Sequence, residues 1–205
     1  MAKELMMDGK QNLKAAQSEI TVARLISVAR DLFSERPYVL VSTEEIVKAA
    51  GVTRGALYHH FGSKDDLFMA VFEEIQKEIG DRVVAAASAG QGAWGDFLAG
   101  CRAFLESCLD PKIQRIVFIE APSVMGWERW RSVDAANSLR ALKEGLAELE
   151  AAGILSPQPL EALAHILSGA MNEAALWIAQ AEAPEEALEE ALTSLQRLLE
   201  GIRTR

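Results

Sequence analysis

The sequence is poor in cysteine, proline and aromatic residues, and it lacks a hydrophobic run long enough to cross a membrane. Its 205 residues include 2 Cys, 14 Gly and 6 Pro, with 6% aromatic and 50% hydrophobic residues. This composition excludes a disordered chain and a collagen-like fibre. The longest uncharged stretches, residues 83–95 and 162–172, fall short of the ~18 residues of a membrane helix. Glu4 and Asp8 interrupt any secretory signal, so we expect a soluble cytoplasmic protein.

The sequence also has little that could form a metal or catalytic centre. Cys101 and Cys108 would lie about 10 Å apart on a helix, beyond the ~7 Å of a disulfide, so we predict reduced, buried thiols. The adjacent His59 and His60 would point about 100° apart, and no Glu or Cys stands at the spacing needed for zinc. Because no nucleophile or acid pair converges either, we expect no cofactor, no metal and no enzyme activity.

Net positive charge is absent as well, which at first argues against nucleic acid as a partner. The formal net charge is −9, from 21 basic and 30 acidic side chains. Residues 1–70, however, hold nine basic and nine acidic side chains, so the whole acidic excess belongs to residues 71–205. The first third of the chain is therefore neutral and open to a role on DNA.

Helical periodicity covers almost the whole chain and predicts an all-α fold. The first helix, over residues 19–35, has an apolar face made of Ile20, Ala23, Ile26, Ala29 and Phe33. Capping patterns start further helices at Ser42, Thr53 and Ser63. An Ala/Gly-rich joint is predicted over residues 85–95, and the later helices lie around residues 97–109, 112–119, 127–151, 160–181 and 185–202.

Two short helices joined at Gly51 predict a helix-turn-helix. A glycine suits this turn because it accepts a left-handed backbone. Ile46, Ala50, Val52 and Leu57 are spaced to pack the two helices together. In the second helix, Arg54 could grip guanine through a bidentate fork, and the absent side chain of Gly55 would allow close approach to DNA. Groups suited to phosphate binding are Ser42, Thr43, Tyr58 and Lys64.

The stretch GVTRGALYHHFGSKDDL, with the residues around it from about 20 to 72, resembles the DNA-binding domain of the tetracycline-repressor (TetR) family. The resemblance implies an all-helical homodimer with a three-helix DNA-binding head, a linking fourth helix and a ligand-binding body. It assigns phosphate contacts to Thr43, Thr53, Tyr58, His59 and Lys64, and base contacts to Arg54 and Gly55. The sequence departs from the family at Pro37, where a glycine is usual, and we expect only a local change of turn geometry there.

With this resemblance, we divide the chain into an N-terminal arm (residues 1–18) that can stay disordered, a helix-turn-helix domain (19–66) and a helical ligand-binding and dimerisation domain (67–205). The expected function is a transcriptional regulator acting as a repressor: a homodimer on a palindromic operator, released by a small apolar effector. The alternative is a ligand-independent regulator or protein-interaction module of the same fold.

Two groups of residues in the body could belong either to the core or to a functional surface. Its aromatic and polar residues could fill the core or line an effector pocket, and the pocket candidates are Phe104, Phe118, Met125, Trp127, Trp130 and Asn172. The last two amphipathic helices could pack within the chain or form a four-helix dimer interface, and we favour the interface. His165 is predicted to be a buried core histidine.

Overall fold

A computed structural model describes the backbone of residues 2–204 and the side chains of residues 14–204. Helices account for nearly all of that range, which confirms the predicted all-α class. The helices are α1 (Ala2–Glu35), α2 (Thr43–Ala50), α3 (Arg54–Phe61), α4 (Lys64–Ala87), α5 (Ala93–Glu106), α6 (Pro111–Ile113), α7 (Ala121–Met125), α8 (Trp127–Asp134), α9 (Arg140–Ala151), α10 (Leu160–Gln180) and α11 (Pro184–Glu200).

Short segments with other helical windings link several of these helices. Tyr38–Leu40 and Ser107–Leu109 are 3-10 turns, whereas Gln114–Glu120 and Ala135–Leu139 are π-helical. The predicted helix over residues 127–151 is thus continuous but contains a π segment between α8 and α9. Such wider turns occur often at functional sites.

The predicted joint over residues 85–95 and the start of the first helix differ from expectation, whereas that helix ends at Glu35 as predicted. The joint between α4 and α5 spans only residues 88–92, because helix continues at both sides of the predicted 85–95 stretch. Helix α1 begins at Ala2 instead of residue 19, so its backbone includes the predicted arm from residue 2 onward. Met1 and the side chains of residues 1–13 lie outside the described residues.

The chain forms two compact units, one up to Phe72 and one from Glu73 onward. The sequence-based division falls at residues 66 and 67. Helix α4 contributes residues to both units.

The core of the first unit, the head, centres on one face of α1. Leu25, Ala29 and Phe33 are completely buried there. Ile20 is 67% exposed and Ala23 is exposed, so the prediction that they belong to the buried face was wrong. At 100° per residue, Ile20 lies half a turn away from Ala29, and therefore on the opposite side of the helix.

An aromatic cluster completes that core. The rings of Phe33, Tyr38 and Phe68 lie 5.2–5.5 Å apart between centroids, in tilted and edge-on arrangements. Pro37 precedes the 3-10 turn that places Tyr38 in the cluster. Pro37, which departs from the TetR pattern, therefore precedes the 3-10 turn, and Tyr38 after it packs in the core.

The second unit, the body, consists of packed helices from the later part of α4 to α11. Cys101 and Cys108 are free and buried in its core, as predicted, and burial raises the pKa of both thiols to about 12. Arg102 Nη1 of α5 donates to Glu189 Oε1 of α11 at 2.7 Å, so a surface ion pair connects these two helices.

Candidate nucleic-acid interface and body cavity

The helix-turn-helix begins at a complete capping box. The Glu45 backbone N–H donates to Ser42 Oγ at 3.2 Å, and the Ser42 backbone N–H donates to Glu45 Oε2 at 3.1 Å. Both bonds satisfy amide groups that have no partner at a helix start. The capping pattern predicted from the sequence is thus confirmed, and it fixes the first residue of α2.

The turn between α2 and α3 depends on Gly51. Its φ of 65° and ψ of 32° lie in the left-handed region, which favours glycine. Gly51 N–H donates to Lys48 O at 3.2 Å, and Val52 N–H donates to Val47 O at 3.0 Å. This pair of bonds is a Schellman motif, which ends α2 sharply and turns the chain toward α3.

The two helices pack through a small apolar contact. Ile46 and Leu57 are completely buried and Ala50 nearly so, whereas Val52 is half-buried. Thr53 then caps α3 by accepting the Ala56 N–H at 3.2 Å. The inner face of α3 is therefore anchored, and its outer face is left to solvent.

That outer face carries the predicted DNA-contacting residues of α3. Arg54, Gly55, Tyr58 and His59 are all exposed. A Cβ built on Gly55 would have only Thr53 Oγ1 within 4 Å, at 3.9 Å. No side chain therefore shields the backbone at Gly55, and a surface that fits the helix can approach it closely.

Arg54 is already engaged on this face. Its Nη1 donates to Glu44 Oε1 at 2.9 Å, and its guanidinium lies 5.4 Å from the centre of the Tyr58 ring. Hydrogen bonding to Tyr58 and the charge of Glu44 raise the pKa of Arg54, while hydrogen bonds from Thr43 and Arg54 lower the pKa of Tyr58. Glu44, ten residues before its partner, was not among the predicted site residues.

Lys64 has an internal role that the sequence did not indicate. Its ammonium donates to the backbone carbonyls of Tyr38 and Val41, both at 3.0 Å, and lies 3.9 Å from the centre of the Tyr38 ring. Desolvation lowers the pKa of Lys64, with the nearby Asp65 acting in the opposite direction. An ammonium has three donors, so one remains for a phosphate after these two bonds.

The body contains a cavity of about 160 Å³ between α4, α5, α9, α10 and the π segment Ala135–Leu139. Its wall is mainly apolar, with Phe97, Phe104 and Met171 among the larger side chains. A Cβ on Gly145 would lie 2.8 Å from the Phe97 ring, whereas a Cβ on Gly80 would meet nothing within 4 Å. The missing side chain of Gly145 thus leaves room for the Phe97 ring, and that of Gly80 leaves part of the cavity empty.

A buried polar network forms one part of this wall. The Asp134 carboxylate, 2% exposed, pairs with Arg131, whose Nη1 also donates to Ser168 Oγ at 3.0 Å. Burial raises the pKa of Asp134, and Arg131, Asn172 and Ser168 oppose that rise. The carboxylate is therefore desolvated but compensated by several donors.

Only part of the predicted pocket set lies at this cavity. Phe104 and Asn172 line it, whereas Phe118, Met125, Trp127 and Trp130 do not. The Trp130 indole N–H donates to Val117 O at 3.0 Å, and its ring stacks on Trp127 at 5.1 Å. Trp127 and Trp130 thus form a separate cluster on α8, outside the cavity lining.

The sequence did contain a signal for the polar wall. Ser168 and Asn172 stand four residues apart on α10, and so share one face of it. His165, by contrast, was wrongly predicted as a core residue: its ring is 52% exposed, with Nε2 at 3.2 Å from Glu161 Oε1.

Among the described residues, no cluster of His, Cys, Asp and Glu has the arrangement of a metal site. No helix in the described range is long and apolar enough to span a membrane.

Two family models together cover most of the chain. The model "Bacterial regulatory proteins, tetR family" matches residues 25–71, and "Tetracyclin repressor-like, C-terminal domain" matches residues 94–202. Among curated proteins, the regulator AcrR of Shigella flexneri is 43% identical over 65 residues, 32% of this chain and 30% of its own length. The Tn10 TetC protein of Escherichia coli is 29% identical over 113 residues, 55% and 57% of the two lengths. These matches thus span less than two thirds of either relative.

Solved structures match over nearly the full length. A TetR-family transcriptional regulator from Pectobacterium atrosepticum is 35% identical, with a TM-score of 0.80 over 93% of this chain and 97% of that one. RolR, solved in complex with resorcinol, has a TM-score of 0.70 at 21% identity, over 90% and 89% of the two chains. The second likeness shows the fold alone.

Proposed function

The chain belongs to the TetR family of DNA-binding transcriptional regulators, and we propose that it is a repressor that binds a palindromic operator as a homodimer until a small apolar effector releases it. Its relatives are regulators and not enzymes, in agreement with the sequence analysis. A role in binding DNA agrees with the expected cytoplasmic location. The observation that carries the DNA-binding part is the anchored α3, which presents an exposed Arg54 in its first turn.

On DNA, α3 would lie in the major groove with its N-terminal residues on base edges. We assign base contacts to Arg54 and Gly55. The proposed phosphate contacts are Ser42, Thr43, Thr53, Tyr58, His59 and Lys64. The Arg54–Glu44 pair would open on binding, at little cost because both partners are 63% exposed.

The base-reading role of Arg54 is tested on a DNA site enriched from a random pool and on a scrambled copy of it. Arg54→Ala should reduce the ratio of the two affinities about tenfold to hundredfold, because a bidentate arginine–guanine contact discriminates between bases. Lys48→Ala is the matched control, since Lys48 is exposed in the last turn of α2 and carries the same charge. Equal losses on both DNAs from the two variants would contradict the assignment.

The dimer proposal is supported by exposed apolar residues on the last two helices. Ile166 and Trp177 of α10 are 68% and 46% exposed, and Leu198 of α11 is 66% exposed. Ile166 and Trp177 are eleven residues apart, which places them within about 20° on the same face of α10. Exposed apolar residues that share one helix face, unlike single scattered ones, are typical of a surface that another protein covers.

Light scattering of two charge variants tests this interface. Trp177→Asp should convert the dimer to a monomer, because it puts an unpaired carboxylate in the contact. Val39→Asp, at a residue of the head that is 79% exposed, should leave the dimer intact. A dimeric Trp177→Asp protein would contradict the assignment of α10 to the interface.

The cavity supports the effector part of the proposal. Resorcinol in RolR shows that this fold accommodates a single-ring molecule in another protein, and an apolar cavity of about 150 Å³ is large enough for benzene. Helix α4 carries Gly80 and Val83 in the cavity wall and Phe68 in the core of the head. An occupant that displaces this helix would change the separation of the two recognition helices, which must be about 34–36 Å for successive major grooves.

The ligand-independent alternative is distinguished by release from DNA. Protein bound to its enriched site is titrated with single-ring compounds, and the bound fraction is followed by fluorescence anisotropy of the labelled DNA. Release by at least one compound supports the proposed effector role. Unchanged binding across aromatic amines, alcohols and acids would favour the alternative.

A further inference from the structure

The charged groups of the cavity wall are all of one sign. Asp96, Asp134 and Glu148 line it, and no Lys, Arg or His among the described residues does so. The other polar wall groups, including Asn137 and Ser138, carry oxygen acceptors. Arg131 already neutralises Asp134, but an anionic occupant would still meet the carboxylates of Asp96 and Glu148 without a positive charge among the lining residues.

The buried carboxylate of Asp134 is not expected to bind the charged group of a ligand. Asp134 already has Arg131 as its ion-pair partner and receives hydrogen bonds from Ser168 and Asn172. A ligand charge brought next to buried Asp134 would lose its own hydration without gaining a free counter-ion. Inside the cavity, an apolar body with neutral hydrogen-bond donors fits best.

The other two carboxylates lie nearer to solvent. Glu148 is exposed and Asp96 is half-buried, so both belong to the rim of the cavity. Asp96 Oδ1 accepts the backbone N–H of Gln91 at 2.9 Å, which is a neutral donor. An ammonium group at the rim could keep part of its hydration while it pairs with these carboxylates.

Resting on the proposed effector role, we propose that the effector is a small apolar amine, with its hydrocarbon body in the cavity and its ammonium group at the rim beside Asp96 and Glu148. This adds a charge and an orientation to the apolar effector expected from the sequence. It also excludes carboxylic acids of the same size as effectors.

Three single-ring probes of similar size test the charge preference: benzylamine, benzyl alcohol and benzoate, all at about pH 7, where the amine is protonated and the acid ionised. Binding to the full-length protein is measured by calorimetry. Benzylamine should bind about two- to thirtyfold more tightly than benzyl alcohol, since two partly exposed ion pairs each contribute modestly. Benzoate should bind most weakly of the three.

Rim variants identify the groups responsible. The double variant Asp96→Asn, Glu148→Gln should lose the preference for benzylamine and keep the affinity for benzyl alcohol. Glu144→Gln is the matched control, because Glu144 is exposed on α9, one turn before Glu148, and does not line the cavity. That control should retain the preference.

The possible results distinguish failure of the amine assignment from failure of the effector role of the cavity. If benzyl alcohol or benzoate binds as tightly as benzylamine, the amine assignment is wrong while a ligand role for the cavity survives. If the rim variant keeps the preference, the placement of the ammonium group is overturned. If none of the three binds, both the amine assignment and the effector role of this cavity fail.

Discussion

Filling the cavity from the backbone of α4 should stabilise the protein and abolish ligand binding. Gly80 lines the cavity, and a Cβ placed there meets no atom within 4 Å. In Gly80→Leu, four added carbons at about 0.8 kcal/mol each give about 3 kcal/mol on complete burial. Ordering the side chain costs about 0.5–1 kcal/mol, and removal of a helical glycine adds about 0.8 kcal/mol. The net expectation is a gain of about 3 kcal/mol.

The matched control is Gly169→Leu, and both leucine variants are made in the Trp177→Asp background, because Gly169 lies one turn from Ile166 on the proposed dimer face. Gly169 lies in the interior of α10, is exposed, and also has nothing within 4 Å of an added Cβ. This variant should gain only the helix-propensity part, about 0.8 kcal/mol. At about 2–4 °C per kcal/mol, calorimetry should show melting temperatures raised by about 6–12 °C in Gly80→Leu and about 2–3 °C in the control.

Ligand binding provides the second readout of the same pair. Benzylamine should raise the melting temperature of the wild type and of Gly169→Leu, but not that of Gly80→Leu, since only the last has its cavity filled. Equal stability of the two leucine variants, or retained binding in Gly80→Leu, would refute the view that this cavity is an open ligand site.

Three further predictions concern buried charge, thiols and the head. Arg131→Met should cost about 3 kcal/mol at neutral pH, because it leaves the Asp134 carboxylate buried without its ion-pair partner; adding Asp134→Asn should restore most of the loss, and denaturant unfolding of the two variants checks this. Since the pKa of Asp134 is raised on folding, the stability of Arg131→Met should increase as pH falls through that pKa; a pH-independent deficit would contradict the reasoning. Cys101 and Cys108, with pKa values of about 12, should react with a thiol reagent at about pH 8 only after denaturation, and rapid labelling of the native protein would show otherwise. Lys64→Met should lower both stability, by about 1–2 kcal/mol, and affinity for matched and scrambled DNA alike; unchanged thermal stability would contradict the internal role of the ammonium.

The parts that the sequence predicted well depend on residues close together in the chain. The capping box of Ser42 and Glu45, the left-handed turn at Gly51 and the cap at Thr53 each involve residues within five positions. Such bonds form whenever the local backbone is helical, so the pattern alone identifies them. The same locality explains why the helix-turn-helix could be placed to within a residue.

Features built from distant residues were not predictable in this way. Lys64 binds carbonyls 26 and 23 residues earlier, and nothing in its own neighbourhood indicates that. Glycines on three helices line the cavity, but only Gly80 faces open space, and an absent side chain has no periodic signal. The pocket was instead assigned to large aromatic residues such as Trp130. The indole N–H of Trp130 donates to the buried backbone carbonyl of Val117.

The central claim is that this chain is a sequence-specific, two-fold symmetric DNA binder. Selection of DNA from a random pool by the purified protein tests it most directly, because enrichment reports specificity and the symmetry of the enriched site reports the dimer. We predict a palindrome whose half-site centres lie about one helical turn, or a multiple of it, apart. Failure to enrich any site, or enrichment of a single half-site without its mirror image, would contradict the account.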